Sequence, residues 1–110
     1  MGKAEIKPEG TLALEKITDV LKKIENNEIR VEGHTDDQKI SGELAKEYPT
    51  NWELSSDRAI SVVRYFQDQG INPNIISAAA FGQYRPITDN DTAEGRAKNR
   101  RIEIISTVNY

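Results

Sequence analysis

Two hydrophobic periods follow each other in this chain, first helical and then extended, and that succession limits the fold more tightly than composition does. Leu14, Ile17, Leu21 and Ile24 recur at i, i+3, i+7 and i+10, one face of an amphipathic helix. Glu15, Lys16, Lys22 and Lys23 suit its wet side. Pro8-Glu9-Gly10-Thr11 reads as the start of that helix and Asn26-Asn27 as its exit. Residues 28–33 then alternate polar and apolar, which predicts a half-buried strand with Ile29 and Val31 turned inward.

The same succession repeats downstream. Thr50-Asn51-Trp52-Glu53 reads as a capping box, Thr50 as N-cap and Glu53 at N3, although Asn51 could cap instead. The helix runs to about Gln69, and Gly70 fits the C′ position. Ser55, Ala59, Val62 and Phe66 share one of its faces, with Leu54 and Val63 beside it. Asn72-Pro73-Asn74 is a turn, and residues 75–81 read as a second strand whose small side chains predict close packing under a helix. Gln83 to Asn90 is a loop. Asp91 with Glu94 is expected to cap a short third helix near residues 92–98, and Arg101 to Val108 forms a last strand with Ile102 and Ile104 on one face. This alternation predicts an α/β (α+β) fold, a two-layer sandwich of order β-α-β-α-β with its helices packed on one face of a mixed sheet. The stretch from His34 to Thr50 has no clear period, and loops of that length in compact domains are usually functional or disordered.

Length and charge exclude several function classes. The 110 residues fit one domain, 1–110, and no internal repeat or linker divides it. With 36% hydrophobic and 30% charged residues, the chain suits a small, highly soluble globular domain rather than a disordered one. No apolar run reaches the ~18 residues of a membrane span, and no signal peptide is evident. Met1-Gly2 is compatible with a start from which targeting segments have been removed. Cysteine is absent, which excludes disulfides and thiol catalysis. A formal net charge of −3 gives no overall attraction to nucleic acid, and no nucleic-acid partner is expected.

Polar residues collect at His34-Thr35-Asp36-Asp37, at Asn51 to Arg58 and at Asn99-Arg100-Arg101, that is, at a strand end, a helix start and a strand start. Loops and helix starts at one sheet edge make a natural binding site. Asp36 and Arg58 are the most informative pair. A carboxylate beside a guanidinium can hold a zwitterion, the aspartate taking the ammonium and the arginine gripping the carboxylate with its planar fork. The amides of the helix start favour the same anion. The plainer alternative is a surface salt bridge plus a turn aspartate.

These residues carry a family resemblance. Gly33-His34-Thr35-Asp36, then Asn51-Trp52-Glu53-Leu54-Ser55-Ser56-Asp57-Arg58-Ala59, then Asn99-Arg100-Arg101-Ile102-Glu103-Ile104 resemble the OmpA-like (OmpA/MotB) C-terminal domain. Lys3-Ala4-Glu5-Ile6-Lys7-Pro8-Glu9-Gly10 also resembles that family's approach to its first helix. Each motif alone is moderately specific; all of them in order are highly specific. The Asn51-to-Ser55 form and the long insertion between Asp36 and Asn51 are most similar to the members that serve flagellar motor stators.

The resemblance implies a non-enzymatic periplasmic, wall-facing domain of a longer inner-membrane-anchored protein. Such a domain binds peptidoglycan non-covalently through diaminopimelate and fixes a flagellar motor stator to the wall. It also implies Asp36 and Arg58 as the diaminopimelate grip, Asn51 beside it, and Thr35 and Asn99 at wall-facing positions. A homodimer and a channel-forming stator partner subunit follow from the resemblance alone. A general envelope anchor, the tail of an outer-membrane protein or lipoprotein, is the alternative. One departure stands out: the family's apolar first strand is absent, so either it has been trimmed or Met1 to Ile6 supplies a stub of it.

Other chemistry is less well supported. His34 is the only histidine, so a zinc site lacks ligands, and neither metal nor cofactor is expected. Asp89-Asn90-Asp91 weakly resembles a calcium loop but lacks the spacing of its glycine and closing glutamate. Ser55, His34 and Asp36 have no nucleophile elbow or oxyanion loop to make them a triad, and wall cleavage is not expected. Arg96, Lys98, Arg100 and Arg101 form a basic cluster without interleaved aromatics, which suits packing around a wall site better than phosphate binding. Trp52 either covers a loop from the core or leans on ligand or glycan.

Overall fold

The computed structural model describes residues 8–108, with side chains from Leu12 onward. The strand stub expected over Met1 to Ile6 lies outside the described residues. In chain order the elements are α1 (Pro8–Lys22), β1 (Asn27–His34), α2 (Leu44–Glu47), α3 (Asn51–Asp68), a 3-10 turn (Pro73–Ile75), β2 (Ile76–Gly82), α4 (Ala93–Asn99) and β3 (Arg101–Val108). The three strands form a mixed sheet of order β2-β1-β3, β1 running parallel to β2 and antiparallel to β3. The parallel pair needs a long crossover, which α3 supplies by packing over β1 and β2.

The core lies between the helices and one sheet face. Leu14 and Leu21 of α1, Ile29 and Val31 of β1, and Ala59, Val62 and Phe66 of α3 are buried together, with Ile71 closing one end. Ile102 and Ile104 pack against them from β3, the strand face read from period-two alternation. A fully buried side chain of this kind contributes about 1.5–3 kcal/mol, so β1, central and twice lined with such residues, anchors the domain.

Local sequence explains the ends of α3. Thr50 is its N-cap, and the capping box closes with both Thr50 and Glu53 bonds present. Gly70 has φ +97°, where a Cβ would be strained. Its N–H donates to the Gln67 carbonyl and that of Ile71 donates to the Phe66 carbonyl, both at 3.0 Å, which is a Schellman closure. The buried Ile71 completes that motif's apolar contact.

Three expectations need correction. α1 stops at Lys22, so Ile24 lies beyond it, and Asn26 makes the exit with φ 55°. Thr92, not Asp91, caps α4: its hydroxyl accepts from the Gly95 N–H at 3.0 Å, while the Asp91 N–H bonds back to the Asp89 side chain. The segment from His34 to Thr50 carries one helical turn, α2, and buries Tyr48. Among the described residues, no helix is long and apolar enough to cross a membrane.

Candidate functional site

The three polar segments of the sequence meet where β1 ends, α3 begins and β3 begins. Gly33 sets how close they come. A Cβ there would lie 2.1 Å from the Ser55 carbonyl oxygen, so only glycine lets the first turns of α3 rest on the end of β1. Ser55 is fully buried and its hydroxyl accepts from the Gly82 N–H at 3.0 Å, fastening α3 to the end of β2 as well.

Asp36 follows immediately, and its side chain is only 9% exposed. One carboxylate oxygen accepts from the Gln38 N–H at 2.9 Å; the other accepts from Arg100 Nη1 at 2.7 Å. Arg100 is thus the cation in contact with Asp36, across 64 positions of sequence. It is 45% exposed, so solvent reaches the pair from its side.

Arg58 lies half-buried near both, two turns into α3. It takes part in none of the ion pairs among the described residues, so it is not salt-bridged to Asp36 as the plainer alternative would have it. Desolvation by burial and then the like charge of Arg100 lower its pKa, against the pull of Asp36 and Tyr48. An arginine stays charged regardless. Arg58 is therefore a partly desolvated cation held beside another cation, an arrangement that an incoming carboxylate would relieve. Tyr48 supports this wall of the site by donating its hydroxyl to Asp57.

Asn51 is the first residue of α3, so its amide is free to reach sideways instead of capping. Its Nδ2 donates to the carbonyls of Asp36 (3.3 Å) and Gln38 (3.2 Å) and to Gln83 Oε1 (3.1 Å). Thr35 is buried and its hydroxyl donates to the Asp36 carbonyl at 2.8 Å. Both residues shape the loop that presents Asp36. Asn99 is fully buried. Its Oδ1 accepts from the Ile87 and Thr88 N–H groups, and its Nδ2 donates to the Thr88 carbonyl and to Asn90 Oδ1. That fills the amide's hydrogen-bonding capacity. Asn99 does not face outward as expected; it staples the loop of residues 87–90.

Sequence reasoning passed over Arg100 as a site residue. The signal was its place between two motif residues, but only the antiparallel pairing of His34 with Arg101 carries it to Asp36. Trp52 and Tyr84 stack with ring centroids 5.0 Å apart and stand exposed next to Asn51. Trp52 thus sits at the rim of the site rather than inside the core.

The fold and site define a small α+β anchor domain, a scaffold that presents charged groups at one end of a mixed sheet. The chain belongs to the OmpA family, which it matches over residues 1–100. It is 34% identical over 105 residues to motility protein B of Bacillus subtilis, covering 94% of this chain and 39% of that protein. It is 35% identical over 92 residues to the peptidoglycan-binding protein ArfA of Mycobacterium bovis, covering 84% of this chain and 26% of that one. Outer-membrane proteins and lipoproteins are also among its relatives. The crystal structure of the C-terminal domain of Helicobacter pylori MotB superposes with a TM-score of 0.87 at 30% identity, covering 97% of this chain and 78% of that one. The chain therefore spans well under half the length of these two curated relatives.

Proposed function

We propose that this domain binds peptidoglycan non-covalently by gripping the zwitterionic end of a diaminopimelate side group, and that it does no chemistry on the wall. The observation that carries this reading is the arrangement of Asp36, Arg58 and Arg100: one buried carboxylate beside two arginines, with Arg58 uncommitted. An ammonium matches Asp36 and a carboxylate matches Arg58, with Arg100 free to swing from one to the other. The exposed Trp52–Tyr84 pair offers an apolar face alongside.

Within that reading the parent protein is a flagellar motor stator subunit, anchored in the inner membrane, working as a homodimer with a channel-forming partner. The likeness to motility protein B and to the MotB domain supports it. The likeness to ArfA and to outer-membrane relatives supports a second reading, a general envelope anchor. Sequence upstream of this domain separates them: a transmembrane helix carrying an aspartate belongs to a stator, a barrel or lipobox to the other class.

Insoluble sacculi test wall binding directly. The domain should co-sediment with them at low salt and leave the turbidity of the suspension unchanged. Recovery of all the protein in the supernatant defeats the binding claim, and clearing of the suspension defeats the claim that it is not an enzyme.

A further inference from the structure

We propose that Glu32, His34 and Glu103, on the sheet face opposite the core helices, form a binding site for a divalent transition-metal cation, with Zn2+ the best match. One ligand atom from each residue lies within 4.8 Å of the others. His34 Nε2 stands 3.6 Å from Glu103 Oε2 and 3.9 Å from Glu32 Oε1. Zinc bonds to nitrogen and oxygen are about 2.0–2.2 Å, so tetrahedral ligands sit about 3.4 Å apart. The two His34 contacts need close by only a few tenths of an ångström to reach that spacing, and the two carboxylates, within 4.8 Å of each other, complete the set by side-chain rotation.

A second observation points to an occupant independently of the acidic pair. His34 is only 3% exposed, yet neither ring nitrogen has a hydrogen-bond partner among the described residues. Buried polar atoms are nearly always satisfied. The ring is also fixed: it stacks on Phe81 at 5.2 Å with planes 6° apart, which holds Nε2 toward the carboxylates.

The strand register adds a reason. Glu32 and Glu103 are direct cross-strand partners, and like charges placed opposite each other destabilise a ladder. Arg30 Nε and Arg101 Nε each hold one carboxylate, at 2.7 and 2.6 Å. They partly offset the repulsion and also orient the carboxylates, as outer-shell partners of metal ligands do. One imidazole and two carboxylates form a donor set suited to zinc and its neighbours rather than to calcium or magnesium, which prefer all-oxygen shells. Glu103, its side chain 39% exposed, gives the ion a way in and leaves a position for water.

The site shares no residue with the Asp36 cluster, so it stands apart from the wall-binding reading. Chelator-treated protein titrated with ZnCl2 in a calorimeter should bind one ion per chain. Glu103→Gln should weaken binding at least about tenfold, no less than loss of an outer-shell partner costs, and His34→Gln should abolish it. Co2+ in place of Zn2+ should give the visible absorption of a four-coordinate ion, lost in both variants. If His34→Gln does not fold, Glu103→Gln still decides, because its side chain is partly solvent-facing. No stoichiometric binding to the wild type, or equal affinity in wild type and Glu103→Gln, would overturn the proposal.

Discussion

Asp36 and Asn99 are both buried polar residues from motifs that meet at one end of the sheet, yet they are held in opposite ways. Asn99 is closed: every donor and acceptor of its amide is used inside the protein. Asp36 is open: one oxygen accepts from the Gln38 N–H, the other is held by an arginine that is nearly half exposed, and Arg58, in none of the ion pairs among the described residues, stands near it. Burial alone therefore does not separate a binding residue from a structural one. The distinction lies in whether the partners are backbone groups of the same fold or mobile charges that a ligand can replace.

That contrast can be broken by substitution, and the largest effect should fall on the closed side. Asn99→Ala removes four hydrogen bonds made by a fully buried side chain to the 87–90 loop, each contributing about 0.5–1.5 kcal/mol. Urea denaturation should show a loss of about 2–4 kcal/mol, close to the upper range of single substitutions. A loss below about 1 kcal/mol would mean that the staple is not structural.

Arg58→Ala should behave in the reverse manner. A charge-assisted bidentate contact contributes roughly 1.5–3 kcal/mol, so the preference for diaminopimelate over lysine muropeptides should fall by about tenfold to a hundredfold. Stability should stay level or rise by up to about 1 kcal/mol, because a desolvated cation beside Arg100 is removed. Calorimetry with both muropeptides, paired with a melting curve, reads the two halves. Equal affinity of the wild type for both peptides would show that Arg58 does not read the carboxylate. Arg58→Lys should restore little of the preference, since a point ammonium lacks the planar fork.

Arg100→Ala sharpens the same contrast with a smaller effect. It removes the cation that covers Asp36 before a ligand arrives and also a second carrier of positive charge. Affinity should change by less than about tenfold, well under the Arg58→Ala effect, and stability by no more than about 1 kcal/mol, as for an exposed ion pair. A loss in affinity equal to that of Arg58→Ala would make Arg100 the primary carboxylate grip and reassign the site. Asp36→Ala should weaken diaminopimelate and lysine peptides alike in the same titration, because both present an ammonium.

What the sequence determined by itself is what short-range geometry dictates. The 3.6-residue and two-residue periods place α3, β1 and β3, the capping box fixes Thr50, and Gly70 marks the helix end, because caps and periods are settled within one or two turns of chain. Those elements, in that order, were enough for the mixed α+β sandwich. The helical period runs on to Ile24 although α1 ends at Lys22, because a period does not say where a helix stops when a left-handed Asn26 turns the chain first. The motifs also marked Asp36 and Arg58 as the residues to examine. Only the tertiary structure decided how they are engaged. The Arg100 contact spans 64 positions, the Glu32–Glu103 pairing follows from strand register, and Asn99 is closed off by a loop that folds back onto it. Each of these depends on side chains that approach through pairing and packing of distant segments, and on which hydrogen bonds remain unmade afterwards. One chain position carries no trace of either.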